Sequence, residues 1–137
     1  MSVKMSGRYI GNKKVELTHL DSGAKIITSA PKDNNGDGAS FSPTDMLTAS
    51  LGACMLTIVG IVAERDHINI DGSYFNVEKI MSSTSPRKVA NINLVMHLPS
   101  HLSEEIRVKY ERAAATCPVH HSLHPDTHVE IMFTYDV

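Results

Sequence analysis

The sequence carries little net charge and has no run of basic residues. Its 137 residues include 20% charged residues and a formal net charge of −2, which is typical of an ordinary soluble globular protein and not of a nucleic-acid-binding domain. It has only two cysteines, 63 residues apart, and no signal-peptide pattern precedes them. We therefore expect a reducing, cytoplasmic setting, where thiols are more often reactive than structural. No repeat or low-complexity segment divides the chain, so its length predicts a single domain over residues 1–137.

Charged residues are also missing from positions 46–63, a run of eighteen residues that we predict to lie in a helix. The helix should begin at Ser42 as N-cap, with Pro43 at the first helical position and Asp45 as capping-box partner. The run is long enough for a membrane span, but aromatic anchors and a basic cluster are absent from its flanks. A helix without a polar stripe is also typical of the centre of a soluble domain or dimer. We favour burial of this helix inside the protein and expect no membrane partner.

The remaining segments predict an α+β fold with antiparallel sheets. Alternating residues indicate two or three short strands within 9–28, a hairpin formed by 70–81 and 89–98, a helix beginning at Ser103, and a last strand over 129–137. The loop over 31–41 matches the first half of a calcium-binding EF-hand loop. However, the twelfth position, where a bidentate glutamate is needed, is Thr44, so we do not expect calcium.

The two cysteines allow two interpretations. Cys54 lies about three turns into the predicted helix, beyond the influence of the helix N-terminus, so a reactive thiol there needs a cation or hydrogen-bond donors from elsewhere. It could equally be a small core residue, because cysteine is among the most buried residue types. Cys117 falls on the inward face of the second predicted helix and has the same two interpretations. The thiols could meet as a redox pair, but their spacing in the sequence does not show whether they do.

Histidines are concentrated after Cys117. Four of the eight lie within nine residues, at positions 120, 121, 124 and 128. Thiolate and imidazole ligands suit zinc or copper, so a Cys/His metal site is one hypothesis, although no second closely spaced cysteine or acidic partner completes a known pattern. Acid–base assistance by one of these histidines to a nearby thiol is a separate hypothesis, with His120 as a candidate.

Two stretches resemble the signature segments of the OsmC/Ohr family of thiol-dependent hydroperoxide reductases. They are SPTDMLTASLGAC, from Ser42 to Cys54, and CPVHHSL, from Cys117 to Leu123. The order of elements and the length are also similar, so the likeness covers nearly the whole chain. It implies an OsmC-like fold, in which antiparallel sheets wrap around two central helices, and an intertwined homodimer with two active sites at its interface.

The resemblance also implies a mechanism. Cys54, as thiolate, attacks an organic hydroperoxide or hydrogen peroxide and becomes a sulfenic acid, and Cys117 resolves that acid to a disulfide. A small dithiol or a protein thiol then restores both thiols by exchange. No metal, flavin, haem or other cofactor is required, because sulfur carries the two electrons.

This chain departs from the family pattern at two places. The better-characterised members have a glutamate ten residues before the reactive cysteine, where this chain has Thr44, followed by Asp45. They also use an arginine from the N-terminal half to stabilise the thiolate. The loop over 31–41 has no arginine, which leaves Lys32 and Arg8 as candidates. Lysine lacks the planar fork of the guanidinium group and is not an equivalent replacement.

The leading hypothesis is therefore a cytoplasmic, homodimeric, cysteine-based hydroperoxide reductase. The first alternative is a non-catalytic protein that binds a small molecule in a pocket at the dimer interface, with the cysteines serving packing or sensing. The second alternative is a Cys/His metal-binding protein.

Overall fold

The computed structural model of the chain describes all residues from 1 to 137. Its elements are β1 Met5–Gly11, β2 Lys14–His19, β3 Lys25–Ser29, a 3-10 turn Lys32–Asn34, α1 Pro43–Arg65, β4 Tyr74–Met81, β5 Val89–Leu98, α2 Glu104–Ala114, α3 Pro118–Ser122 and β6 His128–Tyr135. They fall into two compact units, Met1–Leu47 and Thr48–Val137. The predicted α+β class is confirmed, whereas the single domain stays a prediction.

The N-terminal unit contains an antiparallel sheet with the strand order β1-β2-β3. Asn12 and Lys13 both have positive φ, 53° and 59°, as a tight hairpin turn between β1 and β2 requires. In the loop that resembles half a calcium site, the Lys14 ammonium lies 2.9 Å from the Asp37 carboxylate. The hydrogen bond from Lys14 lowers the pKa of Asp37. Lys14 therefore pairs with the Asp37 carboxylate, which a calcium ion would need as a ligand.

Helix α1 begins as the sequence predicts. The Asp45 N–H donates to Ser42 Oγ over 3.1 Å, and the Ser42 N–H donates to Asp45 Oδ2 over 2.8 Å. This reciprocal pair is a capping box in which aspartate takes the place of the usual glutamate. Two backbone N–H groups that the helix itself leaves unpaired are thereby satisfied.

The C-terminal unit contains a sheet with the order β4-β5-β6. Strands β4 and β5 form the predicted antiparallel hairpin, but β6 pairs with β5 in parallel, from Asn91 opposite His128 to Leu98 opposite Tyr135. The expectation of purely antiparallel sheets is wrong for this pair. The connection between β5 and β6 is long and carries α2 and α3, and a crossover of this kind returns the chain in the same direction.

The core of this unit lies between the sheet and the helices. Strand β5 contributes the alternating residues Ile92, Leu94, Met96 and Leu98, each at most 1% exposed, as its period-two pattern predicts. Helix α1 contributes Leu51, Met55 and Val59, and α2 contributes Tyr110 and Ala114. Each fully buried aliphatic side chain of this size contributes about 1.5–3 kcal/mol to folding.

Helix α1 is long and apolar enough, by length and composition, to cross a membrane. Core helices of soluble proteins have the same property, and 33% of its most apolar stretch is buried within this chain. Its outward side remains uncharged: Ala53 and Thr57 are exposed, and Ile61 is 45% exposed. The helix therefore has a buried face and an open apolar face.

Candidate active site

Cys54 lies near the middle of α1 and is a free thiol. It is half-buried and packs against the core cluster of the C-terminal unit. The buried residues beside it in the helix include Leu51 and Met55, which are apolar. Its own element thus supplies packing and no charge, as the sequence predicts.

Cys117 lies between α2 and α3, is fully buried and is also a free thiol. Pro118 begins the short helix α3, and Cys117 is its N-cap, with Sγ accepting the His120 N–H over 3.5 Å. The physical reason is that proline is favoured at the first helical position, where its missing N–H costs nothing.

The structure places Cys54 close enough to Cys117 for its thiol to influence the pKa of Cys117. Burial raises the pKa of the Cys117 thiol, and the neighbouring Cys54 thiol raises it further, while the backbone amide of His120 acts in the opposite direction. A thiol in these surroundings is disfavoured as thiolate. The two cysteines are 63 positions apart in the sequence.

The supporting candidates Arg8, Lys32, Thr44 and Asp45 all belong to the N-terminal unit. Arg8 is exposed on β1, opposite Glu16, and Lys32 lies in the 3-10 turn. Thr44 Oγ1 lies 3.2 Å from Ser42 Oγ, and the carboxylate of Asp45 accepts the N–H of Ser42. Thr44 and Asp45 therefore take part in the start of α1.

Among the clustered histidines, His120 is half-buried and stacks on His121 with ring centroids 6.0 Å apart. His124 Nδ1 accepts the Asp126 N–H over 3.0 Å, and His128 Nε2 lies 3.1 Å from Glu130 Oε1. A cavity of about 440 Å³ is lined by His120, Leu123, His124, Pro125, Asp126, Thr127, His128 and Val129. However, no group of three His, Cys, Asp or Glu side chains is placed to hold a metal ion. The metal-site hypothesis is therefore not supported.

Sequence reasoning missed two features near the cysteines. The first is the amide cap on Cys117, for which the pair Cys117-Pro118 was an available signal, because Pro at the first position follows an N-cap. The second is a close contact between the Phe75 ring and Gly52, two residues before Cys54. A Cβ atom at Gly52 would lie 2.7 Å from Phe75 Cζ and closer still to two other ring atoms. Only glycine lets the ring approach the backbone of α1 at this level.

Comparison with known proteins identifies the class. Residues 36–132 match the family model described as OsmC-like protein, so the chain belongs to the OsmC-like family. The match includes all of α1 and indicates a soluble OsmC-like fold. Among curated proteins, no sequence matches.

Solved structures agree. A protein from Psychrobacter arcticus 273-4, named for osmotic stress induction and a detoxification response, shares 38% identity and a TM-score of 0.89 over 95% of this chain and 94% of the other. The organic hydroperoxide resistance protein OhrB of Bacillus subtilis shares 20% identity and a TM-score of 0.69 over 98% of each chain. An organic hydroperoxide resistance protein OsmC from Legionella pneumophila shares 17% identity and a TM-score of 0.76 over 98% of this chain and 97% of the other. The last two similarities support the fold.

Proposed function

We propose that this protein is a cytoplasmic, homodimeric thiol peroxidase that reduces organic hydroperoxides or hydrogen peroxide. The observation that carries the proposal is the pair of free thiols in an OsmC-like fold, a half-buried Cys54 beside a fully buried Cys117 whose pKa it raises. Structural relatives named organic hydroperoxide resistance proteins support the substrate class.

Cys54 is the peroxidatic residue and Cys117 the resolving residue. The Cys54 thiolate attacks the terminal oxygen of the hydroperoxide, the O–O bond breaks, and the alkoxide takes a proton to leave as alcohol. The sulfenic acid on Cys54 then condenses with the Cys117 thiol, which forms a disulfide and releases water. A small dithiol or a protein thiol reduces the disulfide by exchange.

The exposures of the two thiols agree with these roles. Cys54 is half-buried, so an incoming peroxide oxygen can reach its sulfur, whereas Cys117 is fully buried. The buried Cys117 thiol is not accessible to a bulky substrate, but it can attack a sulfenic acid that forms beside it. Chemistry at sulfur alone accounts for the transfer of two electrons, so the proposal needs no metal, flavin or haem.

A second copy of the chain covers the open face of α1. Ala53, Thr57 and Ile61 leave an uncharged strip on this helix, and such a strip is stable in water chiefly when another apolar surface packs on it. Arg8 and Lys32 stay candidates for the source of positive charge near the Cys54 thiolate, and His120 stays a candidate for acid–base assistance.

The test is consumption of cumene hydroperoxide in the presence of a dithiol. We expect turnover by the parent protein and none above background by Cys54→Ser. Cys117→Ser should consume about one equivalent and then slow, because the sulfenic acid is no longer resolved within the chain. If Cys54→Ser consumes the hydroperoxide as fast as the parent, the proposal is wrong, and a non-catalytic binding protein becomes the better account.

A further inference from the structure

Helix α1 has no charged face that would decide how it turns about its own axis. Most of its buried residues are apolar, and its open side, with Ala53, Thr57 and Ile61, is uncharged as well. A hydrophobic pattern fixes the rotation of a helix when one side is apolar and the other is polar. In α1, a specific contact must therefore decide which residues turn toward the sheet.

The contact between Gly52 and Phe75 has the required specificity. A Cβ atom at Gly52 would lie 2.7 Å from Phe75 Cζ, so the ring rests on the backbone of α1. The other residues of α1 have a Cβ atom, with Gly60 as the one exception. Gly60 is eight residues further on, or about 12 Å along the helix axis. Turning the helix, or sliding it by less than this distance, would bring a side chain against the ring.

The ring is itself held by the sheet. Phe75 lies on β4, pairs with Met96 of β5 and packs against the core cluster. Strand β5 is hydrogen-bonded on both sides, to β4 and to β6, and Met96 is fully buried. The position of the ring is therefore fixed by the central strand, and the ring in turn fixes α1 at Gly52.

The same contact determines the direction in which the Cys54 side chain leaves the helix. Cys54 follows Gly52 by two residues, which is about 200° around the helix axis. Its thiol therefore lies on the side of α1 away from the Phe75 ring, where it is half-buried. A turn or a displacement of α1 at Gly52 would move this sulfur as well.

We propose that Phe75 is a positioning residue, whose ring at Gly52 fixes the rotation and the axial position of α1 and so holds the Cys54 thiol in its half-buried place. Phe75 acts through the helix and does not touch the reacting atoms. The consequence for turnover rests on the proposed peroxidase function, whereas the placement of the thiol does not. Misplacement of a reacting group by about 1 Å can lower a rate about 10²-fold.

The test adds a methyl group at the contact and measures the reactivity of Cys54 directly. Gly52→Ala places a Cβ atom against the ring, and Gly60→Ala is the matched control, because a Cβ atom there meets no atom of the chain within 4 Å. Alkylation of Cys54 by iodoacetamide is followed at one pH by mass spectrometry of its peptide. Its rate should change at least about threefold in Gly52→Ala and less than about twofold in Gly60→Ala. The rate of cumene hydroperoxide loss should fall at least about tenfold in Gly52→Ala.

A rescue variant separates positioning from a general loss of stability. In Gly52→Ala combined with Phe75→Leu, the smaller side chain leaves room for the methyl group, so the alkylation rate should return toward that of the parent. A general destabilisation would instead be made worse by a second, large-to-small change in the core. If Gly52→Ala does not fold, Phe75→Leu is compared with the double variant. Without the ring, the added methyl group should alter the alkylation rate less than about twofold, and a larger change would overturn the proposal.

The outcomes distinguish this proposal from the peroxidase function. An alkylation rate of Cys54 that Gly52→Ala leaves unchanged, or changes no more than Gly60→Ala does, would overturn the positioning role of Phe75. A parent protein that consumes no hydroperoxide, but whose variants show the expected alkylation rates, would overturn the peroxidase function and leave the positioning role standing.

Discussion

The contact between Gly52 and Phe75 makes a quantitative prediction for Gly52→Ala. Three ring atoms of Phe75 lie too close to the position of the added Cβ, the farthest of them at 2.7 Å, so the ring or the helix must move. Overpacking of this kind costs about 1–3 kcal/mol. The greater helix propensity of alanine offsets about 1 kcal/mol of this cost. The difference between these terms is a net loss of up to about 2 kcal/mol in the free energy of unfolding.

The assay is urea unfolding at one fixed protein concentration, combined in a double-mutant cycle with Phe75→Leu. Without the ring, the alanine at position 52 should be neutral or stabilise the protein by up to about 1 kcal/mol, so the two substitutions should couple by roughly 2 kcal/mol. If Gly52→Ala is as stable as the parent and the two changes are additive, the close packing of Phe75 on α1 is not what requires glycine at this position.

Three further predictions concern the dimer, the helix start and alkaline stability. Ile61→Lys places a charge on the open face of α1 and should therefore give monomers in sedimentation. The control Val108→Lys changes an equally exposed residue and should not give monomers. A dimeric Ile61→Lys protein would contradict the proposed interface. Ser42→Ala should lower the free energy of unfolding by about 1 kcal/mol in urea, because the N-cap is lost, and no change would contradict the capping role. Burial, and then the carboxylate of Asp66, raise the pKa of Tyr110 to about 12 from 10.0. Stability from the neutral hydroxyl is thus present below pH 10 and lost toward pH 12, and Tyr110→Phe should flatten this alkaline decline in pH-dependent thermal unfolding.

The local features of the fold could be predicted from the sequence. Ser42, Pro43 and Asp45 signal the start of α1, and the structure has the reciprocal hydrogen bonds that these residue types make. The alternation in β5 places Ile92 and Leu94 in the core, since the side-chain period of a strand is fixed by its backbone. Such features depend on residues a few positions apart.

Features that depend on distant residues could not be predicted in this way. The parallel pairing of β6 follows from the path of the α2–α3 connection, and an alternating pattern is the same for either strand direction. The influence of Cys54 in α1 on the pKa of Cys117, the N-cap of α3, depends on tertiary packing, and the spacing of the two residues in the sequence does not determine it. For the candidate site, the resemblance to a family named both cysteines, and the structure added their different burial and the amide cap on Cys117.

The most direct test of the central claim is to map the product of one turnover. The reduced protein is treated with one equivalent of cumene hydroperoxide, digested without reductant, and analysed by mass spectrometry. The account predicts a disulfide-linked pair of peptides that contain Cys54 and Cys117, two hydrogens lighter than the sum of the reduced peptides, and no such pair in Cys54→Ser. Unmodified thiols after the hydroperoxide has been consumed, or a parent protein that does not consume it, would contradict the account.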